Sequence, residues 1–189
     1  ATTLTGALSA VDVVASGILD VAGNTNMTGT LNVTGATTLT GALSAVDVEA
    51  SGNLNITGNL DVTGTTTMTG ALSAVDVEAS GILNVAGNTN MTGTLDVTGE
   101  TTITGTLSAV DVIARGNLDI TRSLDVTGAT TMTGALSVVD VIASGHINVT
   151  GNTNMTGTLD VTGATTITGA LSAGNVVTSG TLAVTGNTN

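Results

Sequence analysis

Over long stretches of this chain every sixth residue is glycine; Gly17, Gly23, Gly29, Gly35 and Gly41 follow one another at that interval. Between them runs one word, Gly-x-[Leu/Thr]-x-[aliphatic]-Thr, seen twice in GTLDVTGETTITG from Gly93 to Gly105. A glycine at that density argues against a helix, because each costs about 1 kcal/mol relative to alanine. The apolar third and fifth positions are two apart, the period of a strand with one buried face. Threonine and β-branched aliphatics favour extended chain. Each word therefore predicts a strand of about four residues, closed by a glycine turn where positive φ is cheap.

The interval lengthens to eleven between Gly41 and Gly52, where GALSAVDVEAS joins a hexad to a pentad. The same unit starts at Gly6, Gly70, Gly105, Gly134 and Gly169. With Gly41 included, the spacings run 35, 29, 35, 29 and 35 residues, so a 64-residue super-repeat starts at Gly6, Gly70 and Gly134. Its longer half holds an extra hexad, GNTNMT, at Gly23, Gly87 and Gly151. Such periods signify a solenoid or other array. No composition shift or linker interrupts them, so residues 1–189 read as a single repetitive region. The chain begins and ends inside repeat words, as expected of a segment of a longer chain whose attachment domains lie outside it.

Two departures from the word carry expectations. Asp12, Asp47, Asp76, Asp111 and Asp140 open the pentads in what reads as the glycine slot, and Asn175 opens the last. Asp and Asn tolerate the left-handed region best among non-glycine residues, which fits a turn there. Arg122 stands in the same slot in RSLDVT; either the turn does not always need positive φ, or that corner is strained. A pentad also removes one residue from a period-two pattern, which is expected to send the following side chains to the opposite face. Leu43 and Ala45 would then share one face, and Val46, Val48 and Ala50 the other, with a joint at Val46–Asp47.

Composition narrows the function classes. The formal net charge is −12, with Arg115 and Arg122 the only basic residues besides His146. Phosphate neutralisation needs Lys or Arg, so a nucleic-acid partner is not expected, nor is an anionic membrane surface. No apolar run approaches the roughly 20 residues that span a bilayer, and no basic segment followed by an apolar stretch reads as a signal peptide. Cysteine, proline and aromatic residues are absent, so the core must be narrow, aliphatic and repeated many times.

A six-residue word with a strand and a corner predicts an all-β, triangular β-helix with three words per turn. One chain winding alone would make a rod on the order of 50 Å; three chains intertwined would reach on the order of 150 Å. The intertwined homotrimer is favoured. Small and large core partners such as Thr101 with Ile103 and Leu95 with Val97 suit a slender shared core, and a lone solenoid needs capped ends. Words such as GTLDVTGATTITGALSA, Gly157 to Ala173, resemble the repetitive shaft regions of bacteriophage tail fibres, and similar repeats occur in bacterial surface proteins. That resemblance covers essentially the whole chain. It implies a homotrimeric fibre on a virion or cell surface and transfers no catalytic residues.

Candidate chemistry is sparse. His146, the single histidine, occupies a variable second position in GHINVT with no evident acid–base partner, and reads as exposed and structural. Asp61, Asp96, Asp125 and Asp160 share the fourth position, where Asn32 and Asn84 also appear. Stacked oxygens could attract Ca²⁺, but without an EF-hand or nonapeptide spacing these residues read as solvated groups that discourage edge association. The TTLT and TTIT words raise ice binding. Eleven words per super-repeat against three per turn, however, would carry such words around the rod instead of lining them up. The sequons at Asn26, Asn32, Asn55, Asn90, Asn148 and Asn154 follow from the word itself. Met27, Met68, Met91, Met132 and Met155 hold fifth positions and read as core. No catalytic, metal or cofactor site is expected. The function expected is a rigid extracellular or virion-borne spacer that self-associates. The alternative is a single-chain β-solenoid binding ice or polysaccharide along one face.

Overall fold

The computed structural model describes residues 1–189. It contains 30 strands, most of them three residues long, and no helix. Positions three to five of each word form the strand, and the sixth position with the next two residues forms the corner. One chain winds alone as a β-solenoid with three words to the turn. Thr2–Leu4, Leu8–Ala10 and Val13–Ala15 begin the first, second and third faces, and Leu19–Val21 then pairs with Thr2–Leu4. The pairing is parallel on every face, as in Leu54 with Leu72, Leu43 with Leu60 and Val13 with Leu31.

The second face holds 11 strands, one per turn; at about 4.8 Å per layer the rod is on the order of 50 Å long. The other two faces join into one 19-stranded sheet. They do so because Leu118–Val126 and Leu136–Ala143 run through the corner between the third and first faces without a break.

Third and fifth positions point inward and build a single cluster of 45 buried hydrophobic residues along the axis. The two positions compensate in size. Thr66 is followed by Met68, Thr37 by Leu39 and Thr101 by Ile103, whereas Leu43 is followed by Ala45 and Leu60 by Val62. Layers of similar volume can then stack at constant spacing without voids, and no aromatic side chain is needed. The five methionines are buried, as their fifth positions predict.

The corners correct three expectations. No residue, glycine included, has positive φ, so the glycines do not serve a left-handed turn. They allow close approach. A Cβ on Gly35 would lie 2.6 Å from the carbonyl carbon and oxygen of Gly17 one layer below, closer than any side chain can sit.

Second, Asp does not occupy the glycine slot. Asp47 pairs with Thr30, and Asp111 with Thr94, each the second residue of its word. A pentad is a hexad that has lost its glycine.

Third, the pentad does not exchange faces. Leu43, Ala45, Val48 and Ala50 are all buried, while Val46 is 37% exposed. The omitted residue falls in the corner, where alternation restarts. Inward positions are four apart across a hexad corner (Val33 to Thr37) and three apart across a pentad corner (Ala45 to Val48). Of the two readings of Arg122, the absence of positive φ supports the first. Its corner is one of those a strand runs straight through, and the ladder shifts register there, between Ile120 and Ser123.

Candidate functional site

Because the interior is filled, any function resides on the three outward faces and the corners. The corners carry an ordered set of side chains. Asp47 Oδ1 accepts the amide hydrogen of Thr65, one layer up, at 2.7 Å. Asp12, Asp76, Asp111 and Asp140 make the same bond at 2.6–2.7 Å. Asn24, Asn53, Asn88, Asn117 and Asn152 make it at 2.9–3.0 Å. The shorter distances belong to the carboxylates, as charge-assisted bonds require. In each of these ten bonds the residue above is Ala or Thr. The sixth-position threonines add a second tie: Thr57 Oγ1 donates to the Thr40 carbonyl at 2.6 Å, and Thr69 Oγ1 to that of Ser51 at 2.6 Å.

His146 belongs to this set. Its Nδ1 accepts the Ala164 amide hydrogen at 3.0 Å, which places it where Asn stands in equivalent words. The exposed position matches the sequence reading; the partner was missed, because it lies 18 residues away and a word-by-word reading does not link layers.

Outward fourth positions give each face a mixed row. Asp61 and Asp96 lie on the second face with Glu78 between them, so three carboxylates stack in successive layers. They border an open groove of about 520 Å³ together with Asn59, Asp76 and Thr94. Arg115 pairs with Asp96 at 2.6 Å, an exposed contact worth little in water. Glu78 escaped the sequence reading because it sits in a pentad, outside the hexad count; aligning the pentads on their valines would have found it. Asp125 and Asp160 lie on the first face, separated by Ile142. On the third face Asn32 donates to Glu49 at 3.1 Å, and Asn84 lies between Thr67 and Thr102. The candidate oxygens are thus divided among three faces.

The Thr-Thr words turn around the rod as the word count requires: Thr37–Leu39 is on the first face, Thr101–Ile103 on the third and Thr165–Ile167 on the second. Within each word the first threonine is buried and only the second points outward. The sequon asparagines Asn26, Asn55, Asn90, Asn148 and Asn154 are exposed at fourth positions.

The inward threonines are chemically distinct. Thr25, Thr37, Thr66, Thr89, Thr101, Thr130, Thr153 and Thr165 are at most 3% exposed, and none of their hydroxyls has a hydrogen-bond partner.

No family model, curated protein or solved structure matches the chain.

Proposed function

We propose that this chain is the shaft of a fibre, a rigid spacer carried on a virion or in the extracellular space, with no chemistry of its own. The observation that carries the reading is the mismatch between a three-word turn and an eleven-word super-repeat. It distributes each kind of outward side chain over all three faces, which suits a rod whose surface need only stay soluble and apart from its neighbours. Stiffness comes from parallel ladders on all three sides, reinforced by the corner bonds, and the net charge of −12 keeps such rods from associating laterally.

A second arrangement of the same shaft, the intertwined homotrimer, is favoured by the inward threonines. With three-fold symmetry the three copies of one word meet in one layer. Eight hydroxyls that are isolated in one chain would then form rings able to bond one another, removing a desolvation cost of about 1–3 kcal/mol at each.

Sedimentation equilibrium together with electron microscopy of the rod separates the cases. A monomer on the order of 50 Å long supports the single-chain shaft, and a trimer on the order of 150 Å the intertwined one. A compact or flexible particle would overturn the spacer reading. Thermal hysteresis, or retention on a polysaccharide matrix, would replace it with the face-binding alternative.

A further inference from the structure

We infer that His146 makes a single corner of the solenoid sensitive to protonation. Eleven corner side chains hold the amide of the layer above: five aspartates, five asparagines and His146. Their responses to acid differ in kind. An asparagine carbonyl does not titrate in this range. An aspartate that gains a proton on one oxygen keeps an acceptor on the other. Imidazole alone reverses its role. Neutral His146 accepts at Nδ1 and so carries its hydrogen on Nε2, whereas the imidazolium has N–H groups at both nitrogens. Nδ1–H would then point at the Ala164 N–H, two donors facing each other across the 3.0 Å now spanned by a hydrogen bond.

The surroundings leave that proton free to enter. His146 is exposed. At this corner Ala129 lies in the layer below and Ala164 in the layer above, with Asp111 a further layer down and bonded to Ala129. On the face leading into the corner, Asp125 and Asp160 lie on either side of Ile142. All the charged neighbours are therefore acidic, and neither arginine stands in this corner. Protonation releases the Ala164 amide, and the layer holding Gly163 and Ala164 loosens there before any other Asx-held corner does.

NMR on the intact chain tests this. At neutral pH the ¹⁵N shifts of His146 report the Nε2–H tautomer. Between about pH 8 and pH 5, protection of the Ala164 amide, corrected for its intrinsic exchange rate, falls about two- to tenfold, the equivalent of one hydrogen bond. Ala135 and Ala170, held by Asn117 and Asn152, stay level and serve as internal controls. In His146→Asn the Ala164 response disappears while its protection at neutral pH remains. An Nδ1–H tautomer, an Ala164 profile that parallels Ala135, or an acid response that survives in His146→Asn would each overturn the inference.

Discussion

In the single-chain solenoid, replacing Thr66 with valine is expected to stabilise the protein. Thr66 is fully buried, stacked between Val48 and Leu83, and its hydroxyl has no hydrogen-bond partner. Valine keeps the branched shape and exchanges that hydroxyl for a methyl. A buried hydroxyl without a partner costs about 1–3 kcal/mol, and an added buried carbon returns up to about 0.8 kcal/mol, so a gain of about 1–3 kcal/mol is expected. In a chain of this length each kcal/mol moves the melting temperature by about 2–4 °C, which puts the shift at several degrees in calorimetry or circular dichroism. Thr67→Val is the control. That side chain is exposed, so its replacement should stay within about 0.5 kcal/mol. A melting temperature for Thr66→Val at or below that of the parent, with the control unchanged, would refute the premise that this hydroxyl is unpaired. The same result from a chain that sediments as a trimer would identify the partner as the Thr66 hydroxyls of the neighbouring copies.

Other substitutions probe the remaining features. Gly35→Ala should destabilise by about 1–3 kcal/mol in chemical denaturation, because its Cβ meets the Gly17 carbonyl at 2.6 Å; a neutral result would show that the layers can part freely. Asn53→Ala, which removes the 2.9 Å bond to the Ala71 amide, should cost about 0.5–1.5 kcal/mol, whereas Asn53→Asp keeps the acceptor and should cost little. Glu78→Thr relieves the stack of like charges with Asp61 and Asp96. It should raise stability by a few tenths of a kcal/mol at low salt, with the gain shrinking as salt is added. Leu60→Ala, at a site with no exposure, should cost about 2–5 kcal/mol, read as a lower denaturation midpoint.

Much of the fold was legible in the word itself. The two-residue spacing of Leu95 and Val97 marks the buried side of each strand, and counting words per super-repeat already carries the Thr-Thr words around the rod. What a linear reading lacked was the distance between layers. Without it, Gly35 looks like a residue chosen for its dihedral freedom, although what it answers is the carbonyl of Gly17 beneath it. The same gap hid the pentad. Asp47 six residues after Gly41 falls where a glycine is due, and only its pairing with Thr30 shows that the missing residue is the glycine. The partner of His146 was hidden for a related reason, being one turn away in space and 18 residues away in sequence, whereas Glu78 was hidden by the pentad that carries it.

The word count also constrains how such a rod can change its length. Duplicating one super-repeat adds eleven words, which is three turns and two further faces. The rod would grow by about 18 Å while everything beyond the insertion swings through two-thirds of a revolution. Two duplications leave a different offset, and only a third brings the far end back to its original bearing. Growth by whole super-repeats therefore keeps the far end's bearing only in blocks of three, whereas inserting a single turn of three words adds about 4.8 Å without turning it.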